Sequence, residues 1–425
     1  MSLERHVGEL EVHQMEDVAK VFQEIERSRD ELITFLKELV RIPTVNPPGE
    51  NYPECVRLIS DKLKKIGMDL QLVDVPKERL SASGVELQRP SIIGVLKGDE
   101  GKPSLHINGH YDVVPVGSGW TVDPFGGEVR EGKLYGRGAT DMKAGITAAV
   151  IAALAVARSG VRLRGDLVIS STPDEETGGE LGAGYIVAKG YARGDAAIVA
   201  ECPGVDKVCI AHKGALWMEL KTIGKAAHSG RPHLGVNAVT KMAKLVLALD
   251  RFAEELQTRR TASSSLFGDA PSPVLVVGGT IQGGVKTNII PDSCVVTLDR
   301  RLLLEEKLED AEYQIMSVVA KTKGEDPEFR VQSRPLLRIP PAQCPREAKV
   351  VTTLVKAVTK VYGTAPNVAG NYGFTDAHYF MEKMPTVMWG PNTTGRGHSA
   401  DEYVIIDDVV RAAKVFTLAA IEMLS

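Results

Sequence analysis

Three short polar segments constrain this chain more than anything else in it. They are Gly109-His110-Tyr111-Asp112-Val113-Val114-Pro115, Gly136-Arg137-Gly138-Ala139-Thr140-Asp141-Met142-Lys143 and Pro173-Asp174-Glu175-Glu176-Thr177-Gly178-Gly179. Each follows, or lies near, the end of an apolar run that reads as a buried strand. In an α/β sheet, ligands bind outside the C-terminal ends of the strands. One histidine and several carboxylates converging there would meet strong mutual repulsion. Bound divalent cations would remove it, so the first reading is a metal site.

The rest of the chain supplies such a sheet. Helical spacing covers residues 15–40 and is ended by Pro43; residues 51–66 form a second amphipathic helix closed by Gly67. Asp69 to Val75, Ser91 to Leu96, Ser104 to Asn108, Asp166 to Ser171 and Ala196 to Ala200 read as strands. Residues 143–158 are apolar nearly all round, which predicts a buried helix closed by Gly160. Strands alternating with helices predict an α/β fold with a mostly parallel sheet covered by helices.

After Lys213-Gly214 the order changes to β-α-β-β-α-β. The elements are a strand Ala215 to Ile223, a helix over 236–254, strands Val274 to Gly279 and Cys294 to Leu298, a helix over 305–321, and a strand opening at Phe329 to Gln332. That order is ferredoxin-like. It predicts an inserted α+β domain over 214–334, splitting a catalytic domain into 1–213 and 335–425. Thr258 to Pro273 reads as a loop. A helix at 346–362, a strand from Pro385 to Trp389 and a last helix from Ile406 to Met423 rejoin the first domain.

Bulk properties exclude some partners. The 425 residues are 25% charged and 43% apolar, an ordinary globular balance. A net charge of -4 gives no electrostatic reason to expect nucleic acid. No apolar stretch is expected to reach the length of a membrane span; residues 143–157 come nearest and suit a core helix. Glu4, Arg5, Glu9 and Glu11 interrupt any signal-peptide pattern. Cys55, Cys202, Cys209, Cys294 and Cys344 are scattered, which suits free thiols in a reducing cytosol. Cys202 lies near a suspected ligand and reads as simply packed.

Taken one at a time, the chemistry-bearing residues have plain structural accounts. His110 with Asp112 suits a core histidine beside its carboxylate partner, the pairing that also fixes the tautomer of a metal-binding imidazole. Asp141 suits a helix cap. Gly-Arg-Gly-Ala-Thr-Asp fits neither a P-loop nor a dinucleotide fingerprint. Glu175 and Glu176 suit a solvated acidic turn, yet adjacent carboxylates point different ways, so one can bind metal while the other handles protons. Glu201 ends the strand from Ala196, and His398 sits in Arg396-Gly397-His398-Ser399-Ala400-Asp401-Glu402-Tyr403. Jointly these N and O ligands suit zinc, cobalt or manganese.

These segments closely resemble the two-zinc metallopeptidases that include acetylornithine deacetylase, succinyl-diaminopimelate desuccinylase, aminoacylase-1 and carboxypeptidase G. The resemblance runs from about Leu36 to the final helix and includes Gly224-Lys225-Ala226-Ala227-His228-Ser229-Gly230. It implies a zinc-peptidase-like catalytic domain with an inserted lid or dimerisation domain. By resemblance, Asp141 bridges two divalent metal ions, most simply zinc, with cobalt or manganese as substitutes. His110 and Glu201 complete one ion; Glu176 and His398 complete the other. Asp112 orients His110, Glu175 is the general base, and a cis peptide follows Asp141. His228 stabilises the oxyanion, often across a dimer in such proteins. Asn288 and Arg301 are candidates for gripping a substrate carboxylate, with a structural salt bridge from Arg301 as the alternative.

The implied activity is hydrolysis of the amide bond of an N-acyl amino acid. A metal-bridging hydroxide attacks, and Glu175 carries the proton to the leaving amine. Two cations against three carboxylates and one hydroxide leave a neutral shell, which can sit buried. A dipeptidase or carboxypeptidase is the alternative. A non-catalytic metal-binding scaffold is more remote, since it predicts loss of a ligand or of Glu175, and neither is missing. Where many relatives carry Asp-Ala-Arg and Gly-Pro-Gly, this chain has Asp376-Ala377-His378 and Gly390-Pro391-Asn392. These departures leave the metal ligands intact and bear on the substrate. Expected partners are a small N-acyl amino acid or short peptide and a second copy through the inserted domain, in the cytoplasm, with neither nucleic acid nor membrane.

Overall fold

The apolar runs become strands of a mixed sheet whose central members are parallel. The computed structural model describes residues 16–201 and 204–425, so Cys202 lies outside the described residues. The chain divides into two units. The first runs to Ile210 and resumes over Cys344–Ala369 and Thr375–Ser425; the second holds Ala211–Gln343 and Gly370–Phe374.

In chain order the principal strands are β1 (Asp69–Val73), β2 (Ser91–Leu96), β3 (Gly101–His110), β4 (Gly165–Thr172) and β5 (Ala196–Val199), then β6 (Gly214–Ile223), β7 (Val274–Gly283), β8 (Ser293–Leu302) and β9 (Arg330–Ile339), and finally β10 (Thr386–Met388). The main helices are α1 (residues 16–27), α2 (Arg29–Arg41), α3 (Tyr52–Ile66), α4 (Ala144–Ser159), α5 (Ala238–Thr258), α6 (Leu308–Gly324), α7 (Lys349–Tyr362) and α8 (Ile406–Leu424). The expected single helix over 15–40 is two helices, because Ser28 leaves helical geometry at φ -86°, ψ 7°.

In the first unit β4, β3, β5 and β10 run parallel in that order. The strands β1 and β2 continue the sheet antiparallel beyond β4. Ile107 lies beside both Ile169 and Ile198, so the apolar centres of three strands are level. Their C-terminal ends are therefore level too, and each opens into one of the acidic or histidine segments. Helices α4 and α8 pack on one face, and the short helices Ala183–Ala188 and Ala377–Met381 cover the other.

Covered on all sides, α4 carries no charged residue until Arg158. The segment Ala139–Ser159 is long and apolar enough to cross a membrane on composition alone, contrary to the expectation from the sequence. Yet 94% of its most apolar 18-residue window is buried within the fold, as a core helix requires. Its start must approach β5 closely: a Cβ at Gly145 would stand 2.1 Å from the Ala200 carbonyl oxygen. Glycine there brings the Asp141 turn against the strand end that leads to Glu201.

The second unit is a four-stranded antiparallel sheet in the order β7-β8-β6-β9. Burial alternates along β6, and its inward residues Leu216, Met218 and Leu220 pack with Met242, Leu245 and Leu249 of α5 and Ile315 of α6. The last strand runs on to Ile339, past the expected end of the inserted segment. Pro335 does not stop it, because β9 is an edge strand and its register shifts between Pro335 and Leu337. The turn Ala262–Phe267 gives the polar loop a buried anchor, Phe267.

Candidate metal centre

Parallel strands deliver His110, Glu176 and Glu201 to one edge of the first unit, and Asp141 and His398 join them from segments beside a small antiparallel sheet. His110 is the last residue of β3 and is fully buried. Asp141 precedes α4 in a turn with extended, non-helical backbone (φ -122°, ψ 96°), and its peptide bond to Met142 is cis. Glu176 sits in the turn after β4, Glu201 follows β5, and His398 lies in the loop before Tyr403. Asp174 and His398 both hold positive φ, 68° and 64°. Such backbone costs of order 1 kcal/mol or more in a non-glycine residue and persists only where its surroundings fix it.

Asp141 stands between the two imidazoles. Its Oδ1 is 3.2 Å from Nε2 of His110, and its Oδ2 is 3.3 Å from Nε2 of His398. Glu201 Oε2 lies 3.9 Å from His110, and Glu176 Oε1 lies 3.1 Å from His398. Three triads have their ligand atoms within 4.8 Å of one another: His110–Glu175–Glu176, and the pair His110–Asp141–Glu201 and Asp141–Glu176–His398. The last two are joined through Asp141 and use one of its oxygens each.

Glu175 is buried beside them, with Oε2 3.8 Å from His110 Nε2. The Asp112 carboxylate accepts the backbone N–H groups of Glu175 (3.2 Å) and Glu176 (3.3 Å) and the Asn46 side-chain amide (3.0 Å). The acceptor facing His110 Nδ1 in hydrogen-bond geometry is the Asp112 carbonyl oxygen at 3.0 Å, with the carboxylate at 3.4 Å. Asp112 therefore faces both His110 and the acidic turn.

The electrostatics are those of a cation site. Burial, then the neighbouring Glu201, pushes Glu175 far above the usual carboxylate range. Burial raises Glu201 likewise and, less strongly, Glu176. Burial opposes a charge on Asp141 as well, but hydrogen bonds from His110 and His398 hold it well below the usual range. Hydrogen bonds to Asp141 and Glu176 raise His398 to about 10. Among the described residues, Glu201 Oε1 is buried with no protein partner. A donor set of two imidazoles and three crowded carboxylates, one with an orphaned oxygen, fits a pair of divalent cations.

Several contributors were not singled out in the sequence. Arg89 reaches Asp174 at 2.6 Å, and the Tyr52 hydroxyl donates to the same carboxylate at 3.1 Å. Asn46 joins Asp112, Asp174 and Thr177. Arg89 follows an unpatterned stretch, and Asn46 reads only as part of a Pro-rich turn. Asp376 is buried with Oδ2 accepting from the Thr172 hydroxyl at 3.2 Å, and burial raises its carboxyl to about 8. Its Oδ1 would stand 2.2 Å from a Cβ at residue 179, so Gly179 (φ +72°) is required there. His378 is buried, bonded through Nδ1 to the Thr375 carbonyl oxygen and packed on Tyr379.

The remaining candidates lie in the second unit. His228 is exposed, and its Nδ1 accepts the Gly230 N–H at 3.0 Å. It bridges Ile289, beside the exposed Asn288. Arg301 is tied to Asp299 at 2.9 Å and stacks on Phe374, with its Nη1 unpartnered among the described residues. Asn288 precedes the start of β8 and Arg301 lies near its end, eight residues past Ser293. At about 3.3 Å per residue the strand alone separates them by roughly 26 Å. Within a single chain, antiparallel topology therefore puts the two candidates at opposite ends of β8.

The sequence model of peptidase family M20/M25/M40 matches residues 106–422. The chain belongs to that family. Membership makes this M20 protein a metallohydrolase acting on amide bonds. It is 29% identical over 378 residues to acetylornithine deacetylase of Proteus mirabilis, covering 88% of this chain and 91% of that one. It is 26% identical over 424 residues to N-formyl-4-amino-5-aminomethyl-2-methylpyrimidine deformylase of Halalkalibacterium halodurans, covering 93% and 95%. Its fold is similar to that of human carnosine dipeptidase 1, with a TM-score of 0.79 at 20% identity over 96% of this chain and 98% of the other.

Proposed function

We propose that this M20 protein is a deacylase that hydrolyses the amide bond of an N-acyl amino acid at a two-cation centre. The observation that carries the reading is the sharing of Asp141 between two histidine–carboxylate triads beside a buried glutamate. His110, Asp141 and Glu201 would hold one ion, and Asp141, Glu176 and His398 the other. Zinc suits these ligands, with cobalt or manganese as substitutes. When bound, the ions supply Lewis acidity toward the amide carbonyl and toward a water.

The chain's own residues do the rest. Glu175 takes the proton of the attacking water and passes it to the leaving amine. Asp112 keeps the Glu175 backbone fixed and His110 oriented. Arg301, with one free donor nitrogen, is available to a substrate carboxylate. His228 is available to a developing oxyanion.

A second copy is the expected partner. The second unit's edge strand β7 exposes Val276 (50%) and Ile281 (62%), and α5 exposes Leu247 (60%). An unpaired edge flanked by exposed apolar side chains favours pairing with a like surface. Light scattering in solution should give twice the chain mass; Ile281→Lys should shift it toward a single chain mass. Buried thiols at Cys55, Cys294 and Cys344 suit a cytoplasmic setting.

A panel of N-acetyl, N-formyl and N-succinyl amino acids together with dipeptides, run with added zinc, cobalt or manganese, tests the reading. Turnover of an N-acyl amino acid above that of dipeptides supports it. Turnover of dipeptides alone would replace it with a dipeptidase of the same chemistry. No metal-dependent turnover on any of them would remove it.

A further inference from the structure

Three of the five segments that carry the proposed ligands are tied together. One follows His110, one holds Asp141, and one holds His398. A single buried guanidinium joins all three. Arg137 is only 2% exposed. Its Nη1 donates to the Glu402 carboxylate at 2.5 Å and to the Ser399 carbonyl oxygen at 3.3 Å. Its Nη2 donates to the carbonyl oxygens of Pro115 (3.4 Å) and Val116 (3.3 Å). The Trp120 ring lies over it, with the centroid 5.3 Å away.

Glu402 extends the connection to Asp141. It is fully buried, and its Oε1 accepts the backbone N–H groups of Thr140 (2.9 Å) and Asp141 (3.2 Å). Its carbonyl oxygen accepts the Gly136 N–H at 2.8 Å. The Thr140 hydroxyl donates to the Tyr403 carbonyl oxygen at 2.6 Å. Asp141 has no helical hydrogen bond to aim it, since its backbone is extended. The carboxylate of Glu402 supplies that aim.

A buried ion pair is weak support for stability, because desolvation offsets most of the attraction. What a guanidinium adds is direction: a flat fork fixes several acceptors at once, which a lysine ammonium cannot reproduce. We propose that the Arg137–Glu402 pair is a positioning unit that sets the spacing of the two half-sites sharing Asp141. This inference rests on the reading of those half-sites as a pair of cation sites. Through Ser399 the pair fixes the His398 loop, through Pro115 and Val116 the loop after His110, and through its amide Asp141 itself. Neither residue touches substrate.

The test uses Arg137→Lys and Glu402→Gln in the full chain, with the surface variant Arg130→Lys as control. Metal-to-protein ratio after cobalt loading and dialysis, the cobalt visible spectrum, kcat and KM are read for each. Misplaced outer partners of metal ligands typically cost about 10–100-fold in metal affinity or activity. Both variants should therefore hold one ion less tightly by that factor, alter the spectrum, and lose kcat while KM changes little. The control should match wild type. A folded Arg137→Lys or Glu402→Gln protein with wild-type metal affinity, spectrum and kcat overturns the proposal and leaves the pair a purely structural one. Should both fail to fold, Trp120→Leu removes the ring over the guanidinium together with the Nε1 bond to the Val116 carbonyl oxygen (2.7 Å), and Trp120→Phe removes that bond while keeping a ring. Trp120→Leu should show the same signature at about 2–10-fold; wild-type values there also overturn the proposal. If wild-type protein itself takes up fewer than two ions, the cation-pair reading fails first, visibly, and this inference falls with it.

Discussion

The two units use sheets of opposite habit, and that difference decides where their polar residues end up. In the first unit, parallel β4, β3 and β5 end at one edge, so residues that follow successive strands gather without further instruction. In the second, antiparallel β6 and β8 send successive ends in opposite directions. His228 and Asn288 gather at one end, and Arg301 lies at the other. A motif after a parallel strand predicts a meeting place, whereas a motif in an antiparallel sheet predicts only a face.

The largest expected effect tests the first unit. Glu175→Gln preserves size and removes the base, so kcat should fall by about 10²–10⁴-fold or more. Metal content should stay at wild type if the ions sit in the two triads that share Asp141; loss of an ion would instead favour the third grouping, His110–Glu175–Glu176. Retained turnover, or a lost ion, would break the separation between ligand and base. A second test asks whether cation binding favours one unit. Zinc at a thousandfold excess over its dissociation constant stabilises the folded site by about 4 kcal/mol. Hydrogen exchange should slow at the ends of β3, β4 and β5 and stay unchanged in β6–β9. Equal protection throughout would argue against a site confined to the parallel sheet.

How much was legible follows from the same contrast. Val-, Ile- and Leu-rich runs between helices announced the parallel sheet, and the segment ends announced His110, Asp141, Glu176 and Glu201. The ferredoxin-like order was legible as well, down to which strands flank α5 and α6. Arg89, Asn46, Arg137 and Glu402 were not assigned roles, because their partners lie far along the chain. Arg137 meets Glu402 265 residues away, and no local spacing encodes such a contact. The placement of Arg301 opposite Asn288 needed the register of β8, which turns that differ in length conceal.

Acid sensitivity compares the units on equal terms, since each buries one neutral histidine. Burial lowers His106 in the first and His212 in the second to about 4. The folded value lies below the unfolded one of 6.5, so the unfolded chain takes up protons that the native chain refuses. Stability is thus complete above pH 6.5 and lost as pH falls toward 4. A shift of this size corresponds to roughly 3 kcal/mol per group. His106 also accepts the Ser170 hydroxyl at 2.7 Å, in a chain of bonds through Asn108 to Thr172 and Asp376. His106→Gln should therefore flatten the fall of the urea midpoint between pH 7 and 5. An equally steep fall in that variant would show that other groups control it.

The smallest expected effect sharpens the contrast most. Residues more than about 10 Å apart with no shared partner add within about 0.5 kcal/mol. In one chain Asn288 and Arg301 should obey that rule, being at opposite ends of β8. If two copies associate through the second unit, Asn288 of one copy can approach a substrate held by Arg301 of the other. A double-mutant cycle on kcat/KM with Asn288→Ala and Arg301→Ala should then give a coupling of roughly 1 kcal/mol in the associated form. The coupling should vanish in the Ile281→Lys background, where association is weakened. Coupling that survives in single chains would mean that β8 does not separate the two side chains, and the contrast between the sheets would lose its basis. Additivity in both forms would leave Arg301 to act on the substrate carboxylate without Asn288.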